Sequence, residues 1–445
     1  MADDPQRYLG LALAAVKGAA AAGASHAEAV AGRSRGVGVT VENSSVKSAE
    51  AGYGESLSMR AFARGAAAHI TVEGLEDVDP AALGAECAGM AAVATPDPDF
   101  VDLPHPDPAD EVEGLYDEAV ERFDVAEAVR AAVSAIEEAR AVHRGVTLQG
   151  EVAFEVSVGA LANSNGVRLA RRDTSIHLAF FAVVHEGDQV GSYHDFDVGR
   201  NLADVDLSGL GRRVTEEALR FLGARKIETA RRDLVLGPLA AYAFLQSILA
   251  AANAESVQRG RSFLVDRLGR RIASSAVTVI DDPLVPRGIR SGAHDGEGTR
   301  RSRRTIIDRG TLLTYLHNSY TAHKAGGTST GHGTHGGGIT PTNLQVALGD
   351  RTAQQIIAET RDGIYINPGS IAPDLTSGDV SSSIDFGFRI QAGEQVYPVV
   401  NCLVGGTVWE LLEHIDAVSS DFRAEPGNVM PTIRIRDVLV AGGEG

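Results

Sequence analysis

The segment that decides the fold class runs from residue 149 to residue 184. It reads QGEVAFEVSVGAL (149–161), ANSNG (162–166) and VRLARRDTSIHLAFFAVV (167–184). The two outer stretches alternate between apolar and polar residues and are rich in β-branched and aromatic side chains, as is typical of strands. Asn165-Gly166 between them is a strong hairpin signal, because both central residues of a two-residue turn must accept positive φ. We therefore predict a long antiparallel hairpin in the middle of the chain.

The sequence before this hairpin predicts an α/β unit. Residues 5–22 resemble a helix with small apolar residues, and residues 36–72 alternate like strands, with Gly and Asn at the turns. A second helix follows, for which Asp79 fits the N-cap and Pro80 the first helical position. Residues 95–108 hold five of the 16 prolines, so we expect an extended connector there.

Three further helices are expected around and after the hairpin. The first covers residues 123–140, with Val125, Val129, Val133 and Ile136 on one stripe. The other two cover residues 210–224 and 237–256, and the remaining sequence is rich in Gly and strand patterns such as TIRIRDVLV (432–440).

These elements predict an α/β (α+β) fold class with three segments. An N-terminal α/β domain with its Pro-rich connector covers residues 1–108, and a central segment of helices and the hairpin covers 109–225. Residues 226–445 form a strand-rich C-terminal domain, for which we expect a barrel-like or strongly curved sheet.

The composition excludes several classes of function. The formal net charge of the 445 residues is −18, which argues against binding nucleic acid. The acidic N-terminus does not resemble a signal peptide, and no apolar run is long enough to span a membrane. With only Cys87 and Cys402, a disulfide framework is not expected, which fits a reducing cytoplasm; Cys402 lies in an apolar run and is expected to be buried.

The densest group of histidines lies in and just before a glycine-rich loop, STGHGTHGGG (329–338). The cluster comprises His317, His323, His332 and His335. It could bind zinc, but no Cys, Asp or Glu lies among these histidines to complete a ligand set, so ordinary turn histidines are the simpler interpretation. A phosphate-binding loop is disfavoured, because a strand pattern rather than a helix follows the glycines.

Two other charged stretches could be functional sites, but each has a simpler interpretation. The loop at 281–304 carries Asp281, Asp282, Asp295 and Glu297, which could bind a cation, although a loop held by Gly, Pro and internal ion pairs is the favoured interpretation. The pair at 185–186 begins like a zinc-peptidase motif, but Gln and Val follow where a histidine would be needed.

The order of longer motifs resembles that of the TldD/PmbA family, and within it the PmbA (TldE) branch. The motifs that carry the resemblance are MRAFARGAAA (59–68), LANSNGV (161–167), GRSFLVDRLGRRIA (260–273), IDDPLVPRG (280–288), HDGEGTRRSRRTIIDRGTLLTYLHNSYTAHKAGGTSTGH (294–332) and TSGDVSSSIDFGFRIQAGEQVYPV (376–399). The resemblance implies a two-part system. A TldD-like subunit carries zinc on an HExxxH helix, and a PmbA-like subunit has the same fold without the zinc ligands.

This sequence departs from the zinc-binding pattern at two places. Counting back from the 260–273 motif, Leu245 and Ala250 occupy the two histidine positions, and Gln246 occupies that of the general base. Neither an aliphatic side chain nor a neutral amide can ligate zinc or accept a proton from its bound water. A Cys-Gly-Lys segment of the family is also absent, since EPGNVMPTIRI (425–435) stands in its place.

The resemblance therefore implies a non-catalytic subunit that completes the substrate cavity and stabilises a zinc-bearing TldD-like partner in a heterodimer. No cofactor is expected in this chain, and zinc is expected in the partner. Thr330, His332 and His335 are the residues expected near the shared cavity, where the loop shapes the backbone. The substrate would be an unfolded or leader-type peptide. Two alternatives stay open: a pair that hydrolyses a small amide or peptide metabolite in natural-product biosynthesis, and a homodimeric peptide-binding protein that acts alone.

Overall fold

The long hairpin predicted at the centre of the sequence forms the middle of a six-stranded antiparallel sheet. The computed structural model describes residues 4–443. The strand order of this first sheet is β3-β2-β1-β4-β5-β6. Its strands are β1 (His26–Glu42), β2 (Ser45–Ala63), β3 (Ala66–Glu73), β4 (Thr147–Asn163), β5 (Arg168–Glu186) and β6 (Gln189–Gly199). The three strands from the first predicted segment and the three from the second therefore form one sheet, whose strands β1 and β4 are neighbours.

A second, larger sheet is built from the C-terminal half of the chain. It has twelve strands, and the parallel and antiparallel pairs among them leave it open, with no closed barrel in residues 4–443. The strands are β7 (Ala230–Leu236), β8 (Val279–Asp281), β9 (Arg304–Asp308), β10 (Thr311–Leu312), β11 (Leu344–Val346), β12 (Asp362–Ile366), β13 (Asp379–Ile384), β14 (Gly387–Gln391), β15 (Glu394–Val399), β16 (Cys402–Thr407), β17 (Ile415–Glu425) and β18 (Asn428–Ala441). The strand-rich C-terminal domain is thus confirmed; of the two forms expected for its sheet, barrel-like or strongly curved, a closed barrel does not form in the described residues.

Helices cover one face of the first sheet and pack into the second domain. They are α1 (Pro5–Ala21), α2 (Pro80–Val93), α3 (Glu118–Glu121), α4 (Val125–Val142), α5 (Gly209–Arg220), α6 (Pro238–Ala251), α7 (Ala254–Gln258), α8 (Ser319–Lys324), α9 (Ala353–Ala358) and α10 (Val408–Glu413). Asp79 accepts hydrogen bonds from the first turn of α2, which confirms the predicted cap. None of the helices in the described residues is long and apolar enough to cross a membrane.

The first sheet has a helix-covered face and an opposite face, and strand alternation decides which side chains lie on each. On β2, Leu57, Met59 and Ala61 are buried in the core beneath α1 and α2. Because successive side chains of a strand point to opposite sides, Ser58 and Arg60 lie on the other face. That other face meets loops of the C-terminal domain.

Three local predictions differ from the structure. Val133 of α4 is 39% exposed, because the helix buries a stripe of alanines together with Ile136. Asn165 is not among the residues with positive φ, whereas Gly166 has φ 99°. The hairpin tip is longer than a two-residue turn because its asparagines are used elsewhere: the amide nitrogen of Asn163 donates to the carbonyl of Pro104, 2.7 Å away. The tip thereby holds the Pro-rich connector.

The helix predicted over 237–256 is the third difference. It is interrupted after Ala251, and a second short helix, α7, begins at Ala254. The side chain of Asn253 accepts hydrogen bonds from the first turn of α7 and so caps it. The break lets the backbone of Ala254 bond to that of Leu316, which ties α7 to the loop that follows β10.

Candidate functional site

Helix α6 holds Leu245, Gln246 and Ala250, the residues that the resemblance predicts at the zinc-binding and general-base positions. The helix starts at Pro238, whose missing N–H is tolerated in the first turn. Leu245 is 2% exposed and packs into the C-terminal core, while Gln246 and Ala250 lie on the half-buried side of the helix. The Oε1 atom of Gln246 is enclosed and has no hydrogen-bond partner in the described structure. These three side chains do not fit a zinc ion, because none can supply a ligand in its observed place.

The GH-loop, which we define as residues 329–338, places Thr330 and His332 in the interior. His332 is 1% exposed. Its Nδ1 atom lies 2.8 Å from the Thr330 hydroxyl, and its Nε2 atom lies 3.0 Å from an oxygen of Asp281. Asp281 is itself fully buried and also accepts hydrogen bonds from the backbone and hydroxyl of Thr342. This network joins the loop to strand β8, so His332 fastens the GH-loop to the second sheet.

His335, at the other end of the GH-loop, reaches the first sheet. Its Nε2 atom lies 3.1 Å from the hydroxyl of Ser58 on β2. Its Nδ1 atom lies 3.4 Å from Oε1 of Glu28 on β1. The neighbouring Gly337 has φ 94°, and a Cβ there would stand 3.0 Å from the guanidinium of Arg60. Glycine therefore lets the loop approach the sheet closely.

Buried charges meet where the GH-loop contacts the first sheet. Glu28 is fully buried, and its carboxylate forms an ion pair of 2.6 Å with Arg60, its cross-strand neighbour. Burial alone would raise the pKa of Glu28, but the neighbouring His335 and Arg60 side chains lower it below its ordinary value. Glu297 lies 3.6 Å from Arg60 and accepts hydrogen bonds from Ser319. Burial raises the pKa of Glu297. Glu28 is therefore ionised more readily than Glu297.

A cavity of about 190 Å³ opens beside this cluster, between the first sheet and loops of the C-terminal domain. Arg60, Glu297 and Asn318 supply part of its polar lining. Phe62 and Phe100 supply an aromatic wall, and their rings stack at a centroid distance of 4.0 Å. The cavity is therefore amphipathic, as small-molecule and side-chain pockets usually are.

The four histidines of the predicted cluster do not converge. His317 bonds to Thr321 on α8, and His323 of the same helix lines the cavity. His332 and His335 point to different sheets. Across residues 4–443, no group of three or more His, Cys, Asp or Glu side chains is arranged to hold a metal ion. Cys402 is 2% exposed, which confirms the prediction that it is buried.

The acidic residues of the loop at 281–304 have separate structural roles. Asp295 accepts three backbone N–H bonds, from Glu297, Thr299 and Gly333, and so fixes the loop against the GH-loop. Burial and the nearby charge of Glu297 raise the pKa of Asp295 to about 6. Asp282 forms an ion pair with Arg303, as expected of a loop held by internal pairs.

Sequence reasoning did not single out Glu28, Ser58 or Arg60. The alternation in MRAFAR (59–64) could have placed Arg60 and Ser58 on the same face of a strand. It could not show that the GH-loop, about 275 residues later, lies against that face. Only the tertiary structure brings His335 to Ser58.

Comparison with known proteins identifies what the chain is similar to. The family model described as "PmbA/TldA metallopeptidase C-terminal domain" matches residues 229–442. The model described as "PmbA/TldA metallopeptidase central domain" matches residues 116–222. Together these two regions span most of the chain.

Individual relatives agree with the family models. A "Metalloprotease" of Methanothermobacter thermautotrophicus is 30% identical over 329 residues, which are 67% of this chain and 72% of the relative. "Metalloprotease PmbA" of Escherichia coli O157:H7 is 27% identical over 412 residues, covering 91% of this chain and 85% of the relative. The crystal structure of TldE from Thermococcus kodakarensis superposes with a TM-score of 0.87 at 23% identity, covering 96% of this chain and 99% of that one. At this sequence identity, the superposition shows that the two proteins share a fold.

Proposed function

Since this chain belongs to the PmbA/TldD metallopeptidase family, we propose that it is the non-catalytic, TldE-like subunit of a heterodimeric zinc metallopeptidase. Its partner would be a TldD-like subunit that carries the HExxxH motif and the zinc ion. This chain would complete the substrate cavity and stabilise the partner. An unfolded or leader-type peptide is the proposed substrate, and the cytoplasm the proposed compartment.

The observation that carries the proposal is the placement of Leu245, Gln246 and Ala250 on α6. Zinc hydrolysis needs imidazole ligands and a carboxylate that accepts a proton from metal-bound water. At these positions the chain has a leucine packed into the core, a neutral amide and a methyl group. The helix keeps the fold of the domain while lacking the groups that the chemistry requires.

An exposed strand edge supports the proposal of a partner. Strand β2 pairs with β1 along nearly its full length, but β3 pairs with it only from Ser56 to Ala63. Within the described chain, the edge of β2 from Ser45 to Gly54 therefore has no strand beside it, since the carbonyl of Glu55 still accepts a hydrogen bond from Gly74. Such an edge presents unpaired backbone groups, which proteins usually cover or pair. A partner subunit that covers this edge would satisfy them.

Association with a TldD-like protein is the experiment that tests the proposal. The full-length chain should be analysed by size-exclusion chromatography with light scattering, alone and after co-expression with a TldD-like HExxxH protein from the same genome. We expect a 1:1 complex with chelator-sensitive peptidase activity. Obligate interfaces commonly bury about 2,000 Å² or more, so the complex should survive dilution on the column.

Two outcomes of this experiment would count against the proposal. A well-behaved monomer that does not bind the TldD-like protein would contradict the heterodimer. A stable homodimer with no affinity for that protein would favour a binding protein that acts alone.

A further inference from the structure

Ser58, His335 and Glu28 form a chain of polar contacts that the proposed peptidase role does not use. The hydroxyl of Ser58 lies 3.1 Å from Nε2 of His335, and Nδ1 of the same ring lies 3.4 Å from Oε1 of Glu28. Glu28 is fully buried, whereas Ser58 is half-buried at the surface of the sheet. The order of groups is hydroxyl, imidazole, carboxylate. This is the order found where a serine is activated by a base that a carboxylate orients.

The charge of Glu28 decides the tautomer of His335. A carboxylate accepts hydrogen bonds and cannot donate them, so the imidazole nitrogen that faces it carries the proton. Nδ1 faces Glu28, and Nε2 is left with its lone pair toward the hydroxyl of Ser58. In this tautomer His335 can accept the hydroxyl proton. At 3.4 Å the contact is not a hydrogen bond, and Nδ1 of His335 has no hydrogen-bond partner in the described structure, so Glu28 acts on the imidazole through its charge. Catalytic hydrogen bonds often form only when a substrate is bound.

Two further polar groups surround the same hydroxyl. Nε2 of His69 lies 2.8 Å from Ser58 Oγ, and the Thr71 hydroxyl lies 2.9 Å from it. Burial, together with the neighbouring His335 and Arg60 side chains, lowers the pKa of His69 and so favours its neutral ring. Both groups contact Ser58 Oγ itself and so hold the hydroxyl in position.

We propose that Ser58 is a nucleophile that accepts acyl groups from small esters, with His335 as its general base and Glu28 orienting the imidazole. Ser58 Oγ forms a bond to the carbonyl carbon, and its proton moves to Nε2 of His335. The bond from that carbon to the alcohol oxygen breaks, and the alcohol leaves with the proton. Water, deprotonated by the same imidazole, then releases the acid and restores the serine. Neither step requires a metal or a redox partner.

The neighbouring cavity defines the class of ester. Ser58, Arg60 and Phe62 lie on the same face of β2, and successive side chains on one face are about 7 Å apart. The cavity of about 190 Å³ begins at Arg60 and is walled by Phe62 and Phe100. A short acyl group or a single aromatic ring matches this volume and lining. Esters of short acids with phenolic alcohols are therefore the expected substrates.

The test uses the full-length chain with p-nitrophenyl acetate and a fluorophosphonate probe. We expect ester hydrolysis and one fluorophosphonate adduct, which peptide mapping places on Ser58. Ser58→Ala should lower the esterase rate at least about tenfold and abolish the adduct, because general-base catalysis of this kind contributes 10²- to 10⁴-fold. His335→Gln should do the same, since glutamine can hydrogen bond to the serine but cannot take its proton.

Ser56→Ala is the matched control, because Ser56 lies one same-face position away on β2 and none of the described contacts joins it to His335. It should keep the full rate and the adduct. A purely structural role of the contact would leave His335→Gln as active as the unaltered chain, provided its melting temperature is unchanged. Activity or labelling that persists in Ser58→Ala would overturn the proposal, and so would the absence of any adduct in the unaltered chain. Zinc and the TldD-like partner are not needed, so this result is independent of the proposed peptidase role.

Discussion

Replacement of Leu245 by alanine tests whether α6, where the proposal places the degenerate zinc motif, is a structural helix. Leu245 is 2% exposed and belongs to the main core cluster of the C-terminal domain. A buried Leu→Ala change costs about 2–5 kcal/mol, through lost burial and the cavity that remains. We take about 3 kcal/mol as the expected loss in free energy of unfolding. With a urea m-value of about 3 kcal/mol per M, the midpoint should fall by about 1 M.

The adjacent position provides the control for this change. Gln246 is half-buried, and its Oε1 atom has no hydrogen-bond partner in the described structure. Removing an unsatisfied amide sacrifices no hydrogen bond of that oxygen, so Gln246→Ala should change the free energy of unfolding by no more than about 0.5 kcal/mol. Both are measured by urea denaturation, followed by far-UV circular dichroism. A neutral Leu245→Ala together with a costly Gln246→Ala would refute this account of the helix.

Three other changes probe the site and the domain contacts. Gln246→Glu should confer no chelator-sensitive peptidase activity on the isolated chain, because a general base alone does not generate the metal-activated water that attacks the peptide bond. Turnover that EDTA abolishes would contradict this. His332→Ala should destabilise the chain by about 1–3 kcal/mol, because it removes the imidazole partner of the buried Asp281, whose hydrogen bonds from Thr342 remain; denaturation midpoints measure it, and an unchanged midpoint would show that the contact is not stabilising. Burial raises the pKa of Glu425 from 4.5 to about 7, so the folded chain holds this proton more tightly than the unfolded chain. Stability should therefore fall by up to about 3 kcal/mol as the pH rises through this interval. Glu425→Gln should remove that part of the pH dependence in melts between about pH 5 and about pH 8; an equal slope in both proteins would refute the assignment.

Much of the first sheet could be predicted from local patterns. Alternating apolar residues predicted β4 and β5, and Asp79-Pro80 predicted the start of α2, because strand period and helix caps are local properties. The turn type at 163–167 could not be predicted, since the asparagine side chains bond to a connector about 60 residues earlier. Local sequence does not contain such a partner.

The architecture of the second sheet was less accessible to sequence reasoning. Its strands include several of two or three residues, such as β8, β10 and β11, which are too short to show a period. Their order also follows contacts between distant segments, as in the parallel pair of β7 with β12. Whether a sheet of this kind closes into a barrel depends on its edges, and strand propensity does not report on these.

The candidate site could be predicted only in part, because its contacts join segments that are far apart in the sequence. The chemistry of Leu245, Gln246 and Ala250 is visible in the sequence once the register of the helix is known. The GH-loop was recognised as unusual, and the structure shows its two histidines bonding in opposite directions, His332 to Asp281 and His335 to Ser58. Spacing along the loop could not reveal partners on two different sheets.

Zinc stoichiometry tests the central claim most directly. The chain should be purified without a metal-affinity tag, alone and after co-expression with the proposed TldD-like partner, and zinc measured by elemental analysis against protein concentration. The account predicts no stoichiometric zinc in the isolated chain and one zinc per heterodimer, with chelator-sensitive peptidase activity only in the complex. One firmly held zinc per isolated chain would contradict it, because the side chains of α6 leave no place for that ion.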